Sequence, residues 1–176
     1  MSEPRITQNI GRNPTDEEAK YLALGISAAQ TSYELNNGLG ITAGAPLKFI
    51  DDSHALTFPD ARPFKIADLD GFIVQEVFNN SKNGLNAFLA FCKSTGVILI
   101  GVAGTAGFLK DLPDTKSDAL QLGIDQSFEL LNDRKFKTSL EKALLAIGGG
   151  TNLTKLVIAG QSLGGGIAPT IGLGLV

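Results

Sequence analysis

The sequence predicts an α/β fold in which a mixed, mostly parallel sheet is flanked by helices. Two stretches with apolar residues at helical spacing lie between 116 and 147. A short apolar strand follows at 155–159, and then come a turn and a glycine-rich helix start. Helix, buried strand, turn and helix is the element order of an α/β sheet. Upstream, three apolar segments joined by short turns between 71 and 103 predict an antiparallel start to the same sheet.

The amino-terminal part is predicted to be one helix over about 15–34, after a loosely ordered start at 1–13. Thr15 and Glu18 have the spacing of a capping box, in which the hydroxyl and the carboxylate satisfy free amides of the first turn. Prolines, glycines and aspartates predict that most of 36–70 is loop. The apolar residues that recur at helical intervals before that loop are Tyr21, Leu22, Leu24, Ile26, Ala28, Ala29 and Leu35.

Three strands are predicted between 71 and 103. The first covers 71–78, and the Asn83-Gly84 pair indicates a hairpin turn into the second, Leu85 to Cys92. A turn at 94–96 leads to the third, Val97 to Ala103. This third segment is a continuous apolar run, which is typical of a strand buried on both faces.

Helices are predicted over about 116–132 and 134–147, stopped by the three glycines at 148–150. The first has Leu120, Ile124, Ser127, Phe128 and Leu131 on one stripe, and the second has Phe136, Leu140, Leu144 and Ile147. The strand at 155–159 leads into a last helix that contains Pro169. Because proline removes a hydrogen bond in a helix interior, we expect that helix to kink or break near Ala168.

Composition narrows the possible functions. A chain of 176 residues, 43% hydrophobic and 19% charged, predicts one globular domain over 1–176. A formal net charge of −3 argues against a nucleic-acid groove, which needs clustered cations. With Cys92 and His54 each the one residue of its type, the sequence excludes an intrachain disulfide, a cysteine metal cage and a two-histidine metal site. No cofactor is expected.

The sequence does not identify the cellular compartment in which the protein acts. Residues 1–20 carry seven charged side chains, unlike a secretory signal peptide, so we expect a protein that is cytoplasmic or exported by a signal-less route. The 21 uncharged residues from Leu156 to Val176 are long enough for a bilayer span. Their glycines and Pro169 favour strand, turn and helix instead, so no transmembrane segment is expected.

Gly160-Gln161-Ser162-Leu163-Gly164 matches the G-x-S-x-G pattern of a nucleophile elbow. In an elbow the chain turns sharply from strand into helix, so that the serine hydroxyl stands clear of the sheet. Glycine is needed at both flanking positions because larger side chains would collide. The helix start then aims its amides at the anion formed after attack. A second interpretation is a glycine-rich loop after a strand, such as a phosphate cradle.

A second element is the strand end Val102-Ala103-Gly104-Thr105. A backbone N–H and the Thr105 hydroxyl at such a strand end can supply half of an oxyanion hole. The other interpretation is an ordinary buried strand that runs into a turn.

Taken together, these two elements resemble the lipase class 3 branch of the α/β-hydrolases, over about 71–168. Members have a strand ending in Phe-Arg-Gly-Thr or Phe-Arg-Gly-Ser, then helices, then Gly-His-Ser-Leu-Gly-Gly. The resemblance implies esterase or lipase activity on an acyl-ester or lipid substrate, with Ser162 as nucleophile. It also implies an oxyanion hole formed by Thr105 and the Leu163 N–H. Ala103 and Gln161 depart from the family's arginine and histidine.

The rest of the catalytic triad is missing from its expected place. In α/β-hydrolases an acidic residue and then a histidine follow the serine. The 14 residues after Ser162 contain no Asp, Glu or His. His54 has Asp51 and Asp52 beside it, but it lies far upstream on a loop-like segment and is read as a solvated histidine.

We therefore expect the chain to be the amino-terminal part of an α/β-hydrolase fold that is incomplete by itself. A second polypeptide would supply the remaining strands and the triad's histidine and aspartate. The alternative is a non-catalytic, hydrolase-like binding or scaffold subunit. A weaker alternative is a membrane-interacting module that uses 156–176.

Overall fold

The structure is a computed structural model that describes residues 13–32, 35, 40–48, 69–80, 84–104, 116–148, 155–160 and 163–175. In these parts of the chain the helices and strands follow one another in the predicted order. It runs α1 (Asp16–Ser32), β1 (Phe72–Asn80), β2 (Leu85–Cys92), β3 (Val97–Val102), α2 (Lys116–Asn132), α3 (Arg134–Ala146), β4 (Lys155–Gly160) and α4 (Leu163–Gly174).

The four strands form one mixed sheet in the order β1-β2-β3-β4. The pairs β1–β2 and β2–β3 are antiparallel, whereas β3–β4 is parallel with Val97 opposite Lys155 and Val102 opposite Gly160. The predicted mixed sheet flanked by helices is confirmed. Among the described strands two of the three pairs are antiparallel and β3–β4 is the parallel pair, so this part of the sheet is not mostly parallel as predicted.

Helices cover both faces of the sheet. α1 packs on one face, where Leu24 and Ala28 join apolar side chains of β1, β2 and β3. The other three helices pack on the opposite face, where Leu130, Phe136 and Ile167 meet the alternate side chains of the same strands. Every residue of β3 is buried, because this strand has sheet neighbours at both edges and helices on both faces.

The predicted capping box at Thr15 and Glu18 and the predicted glycine after α3 are present, and α3 also has an N-cap that was not predicted. The Glu18 carboxylate accepts from the Thr15 N–H at 2.8 Å, and the Thr15 hydroxyl accepts from the Glu18 N–H at 3.2 Å. At the start of α3, the Asp133 carboxylate accepts from the Lys135 N–H. Gly148 follows α3 with a φ of +105°, a backbone conformation that favours glycine.

The helices differ from a simple reading of their apolar spacing in three details. Leu22 and Ile26 lie in the predicted helix α1, where they are 58% and 50% exposed. Phe128 of α2 is also exposed, whereas Leu130 is buried in the core between the sheet and the helices α2, α3 and α4. The break expected near Ala168 is absent, and α4 continues through Pro169 to Gly174. The buried Ile167 and Ile171 anchor this helix on both sides of the proline.

Because every residue of β3 is buried, we expect substitutions in this strand to reduce the stability of the protein strongly. Leu99→Ala should lower the free energy of unfolding by about 2–5 kcal/mol, since the fully buried side chain leaves a cavity between α1 and the sheet. Urea denaturation followed by circular dichroism measures this loss. Leu145→Ala on the exposed side of α3 is the control and should change stability by less than about 0.5 kcal/mol. Equal losses in the two variants would contradict this account of the core.

Candidate active site

The carboxyl ends of β3 and β4 lie side by side at one edge of the sheet. Val102 and Gly160 are register partners at the last position of the parallel ladder. Beyond Val102, the Ala103 N–H donates to the Asn86 carbonyl of β2 at 2.9 Å, so the chain is held in line with the sheet for one more residue. Segments that leave these two strand ends therefore start as neighbours.

The end of β4 lies against the first turn of α4. The strand ends at Gly160 and the helix begins at Leu163, so two residues connect them. A Cβ atom on Gly160 would lie 2.9 Å from the Gly164 Cα and would collide with the Gly164 carbonyl. Residues four apart in the sequence thus touch through their backbones, and this contact requires glycine at 160.

Gly164 is also pressed against the end of β3. A Cβ atom there would lie 3.0 Å from the Ala103 carbonyl carbon and would collide with the Val102 carbonyl oxygen. Because the opposing atoms are backbone, no side-chain rotation can make room. Gly164 therefore lets the first turn of α4 lie on the strand end that leads to Thr105.

Leu163 occupies the first position of α4, where backbone N–H groups have no acceptor within the helix. Its side chain packs toward α2, since a Cβ atom on Gly123 would lie 3.2 Å from the Leu163 Cδ1. The first turn of α4 carries no acidic side chain, so the positive end of the helix dipole is not neutralised from within the helix. Such a helix start can stabilise a developing negative charge.

Of the predicted site residues, the structure pairs Gly160 with Val102 and packs Gly164 against Val102 and Ala103, with Leu163 as the first residue of α4. Ser162, Thr105 and His54 lie outside the described residues, as does Gln161. The contact of Gly164 with the end of β3 was not predicted, although the run of three glycines at 164–166 was the signal that a close backbone approach occurs there.

The one thiol lies at the opposite end of the sheet. Cys92 is buried and pairs with Val97 at the start of β3. Burial raises the pKa of the Cys92 thiol, but hydrogen bonds from Ser94 and Thr95 outweigh it, and the pKa is lowered overall. Within the described ranges, no three His, Cys, Asp or Glu side chains cluster as a metal site would require, and no helix has the length and apolar character to cross a membrane.

Comparison with known proteins gives a structural likeness. No protein-family model matches the sequence, and no curated protein matches it. The fold is similar to that of a triacylglycerol lipase whose catalytic centre is described as a serine protease triad, with a TM-score of 0.59 and 16% sequence identity. The match covers 93% of this chain and 57% of the lipase chain.

The described residues therefore form part of a lipase-like α/β-hydrolase fold. The chain spans little more than half the length of that lipase. At 16% identity the likeness establishes the fold, and the chemistry has to be argued from the residues at the strand ends.

Because Gly164 packs against backbone and Gly166 does not, we expect alanine to change the stability of the protein differently at these two positions. Gly164→Ala should lower the free energy of unfolding by about 1–3 kcal/mol, because the methyl group meets fixed backbone of β3. In Gly166→Ala, two residues further along α4, the methyl group would have no neighbour within 4 Å. This control should raise stability by up to about 1 kcal/mol, since alanine loses less entropy in a helix. Thermal or urea unfolding of both variants checks the pair, and a Gly164→Ala protein as stable as the parent would refute the contact.

Proposed function

We propose that the protein is a carboxylic-ester hydrolase of the lipase or esterase type, with Ser162 as its nucleophile. The observation that carries the proposal is the close packing of Gly160 and Gly164, because G-x-S-x-G needs glycine at both flanking positions for the strand-to-helix turn. The pairing of Val102 with Gly160 adds support, since it places the ends of β3 and β4 side by side. The lipase-like fold is consistent with this chemistry.

In the proposed reaction, the Ser162 hydroxyl oxygen attacks the carbonyl carbon of the ester while a histidine takes its proton. The carbonyl oxygen becomes an oxyanion, which the Leu163 N–H and Thr105 hold at the amino end of α4. The C–O bond of the ester breaks, and the histidine returns the proton to the departing alcohol. Water then attacks the acyl-serine carbonyl while the histidine takes its proton. The acyl–serine C–O bond breaks, the histidine returns the proton to the Ser162 oxygen, and the acid is released.

The proposal includes a second polypeptide that carries the rest of the fold with the triad's histidine and aspartate. Residues 1–176 then act as one domain, the amino-terminal portion of a hydrolase. A serine without its base has an ordinary hydroxyl pKa and is a poor nucleophile. The chain by itself is accordingly expected to react slowly, and an added base should restore part of the rate.

A fluorophosphonate probe tests Ser162 directly. We expect slow labelling of the chain, located at Ser162 by mass spectrometry, and an acceleration of about 100-fold by imidazole, which replaces the missing general base. Ser162→Ala should abolish the label, whereas Ser94→Ala, which changes an exposed serine in the turn between β2 and β3, should not. A folded chain that is never labelled, with or without imidazole, would overturn the enzyme and favour the scaffold subunit.

A further inference from the structure

The amino end of α4 has few side chains with which to hold its position. The helix begins at Leu163, and three glycines at 164–166 follow before Ile167. Leu163 therefore has the one side chain in this first turn that can pack against a neighbouring element. Because the N–H and the side chain of Leu163 belong to the same residue, contacts that fix the side chain also restrict the direction of the N–H.

The Leu163 side chain packs against a glycine of α2. A Cβ atom on Gly123 would lie 3.2 Å from the Leu163 Cδ1 and 3.5 Å from the Ile167 Cγ1. Gly123 is buried, and both α4 side chains belong to the apolar core on that face of the sheet. A side chain at position 123 would thus occupy space that Leu163 and Ile167 use.

The local backbone does not explain why residue 123 is a glycine. Gly123 lies in the interior of α2, and its φ is not in the left-handed region. Glycine at such a position makes a helix less stable than alanine would. The buried Ser127 hydroxyl donates to the Gly123 carbonyl at 2.8 Å, so this hydroxyl is satisfied within α2. The close approach of α4 is therefore the feature that favours glycine here.

The same two helices make a second contact between a glycine and a leucine near their other ends. A Cβ atom on Gly174 would lie 3.3 Å from the Leu131 Cδ2. Leu131 is half-buried, as Leu163 is. Gly174 is about 16 Å along the axis of α4 from Leu163, at 1.5 Å per residue. The interface between α2 and α4 thus offers two contacts of the same kind, of which one lies at the strand ends and the other far from them.

Two contacts place the first turn of α4 in different directions. Packing of Gly164 on the main chain of Val102 and Ala103 sets its distance from β3. Packing of Leu163 on Gly123 sets its position relative to α2. A donor to an oxyanion has to lie within hydrogen-bond distance of that oxygen, and a displacement of about 1 Å can slow a reaction about 100-fold.

We propose that Gly123 is a positioning residue for ester hydrolysis, because it leaves room for the Leu163 side chain and thereby aims the Leu163 N–H at the oxyanion. The inference rests on the proposed function for the reaction. It adds α2 to the parts of the fold on which the rate depends.

An exchange of side-chain volume between the two residues tests this role. The readout is labelling of the full chain by a fluorophosphonate in the presence of imidazole, with the probe concentration varied to separate binding of the probe from bond formation. Leu163→Ala removes the packed atoms but keeps the N–H, and Gly123→Val displaces the leucine. Each should slow bond formation by about 10- to 100-fold and change the dissociation constant of the probe by less than about 3-fold.

The double variant Gly123→Val with Leu163→Ala restores the lost volume from the side of α2. We expect its rate of bond formation to return to within about 5-fold of the parent, since volume-conserving exchanges are tolerated best in a packed core. A residue that supports only the stability of the fold would not produce this recovery of rate, because all variants are measured well below their unfolding temperatures.

Leu131→Ala is the matched control, because it deletes the same atoms from the second contact between α2 and α4. Its thermal midpoint, followed by circular dichroism, should fall about as far as that of Leu163→Ala. Its rate of bond formation should stay within about 3-fold of the parent, since the change lies far from the amino end of α4.

The results separate this proposal from the proposed function. A labelled parent with an equally fast Leu163→Ala overturns the positioning role and leaves the hydrolase standing. Equal slowing in Leu163→Ala and Leu131→Ala, or a folded double variant no faster than the single ones, also overturns it. If Gly123→Val does not fold, the comparison of Leu163→Ala with Leu131→Ala decides. A folded parent that is never labelled overturns the hydrolase and the positioning role with it.

Discussion

The arrangement at the strand ends depends on one steric constraint, the contact of Gly164 with the backbone of Val102 and Ala103. A single methyl group at 164 would meet two backbone groups of β3, and one at 160 would meet Gly164 itself. Gly164 is therefore packed against the main chain of Gly160 on one side and of Val102 and Ala103 on the other. This packing places the amino end of the 12-residue helix α4 over the end of β3, which is fully buried. Ser162 lies between β4 and α4 in the sequence, and its proposed role follows from this constraint.

Much of the architecture could be predicted from local patterns. The bounds of β2 and α2 agree with expectation, because the Asn-Gly hairpin turn and the helical spacing of apolar residues mark them clearly. The continuous apolar run at Val97 predicted a strand buried on both faces, and every residue of β3 is buried. The G-x-S-x-G pattern also predicted a strand-to-turn-to-helix transition, which is where β4 ends and α4 begins.

Long-range packing determines features of the fold that these local patterns could not predict. Leu22, Ile26 and Phe128 fit helical stripes, yet they are exposed, because burial depends on which neighbour covers each face of a helix. Pro169 was expected to interrupt α4, but one lost hydrogen bond is a smaller term than the burial of Ile167 and Ile171 on either side of it. The contact of Gly164 with the end of β3 joins residues some sixty positions apart. The glycines at 164–166 indicate a close backbone approach, but local sequence does not identify the segment that makes it.

The central claim is that the ends of β3 and β4 form one chemical site, and Thr105 allows it to be measured. With imidazole present, Thr105→Val should slow phosphonylation of Ser162 by about 100- to 1,000-fold, because valine keeps the shape of threonine but cannot hydrogen-bond to the oxyanion. Thr105→Ser keeps the hydroxyl and should react within a few-fold of the parent. If Thr105→Val reacts as fast as the parent, the two strand ends do not act together and the account fails.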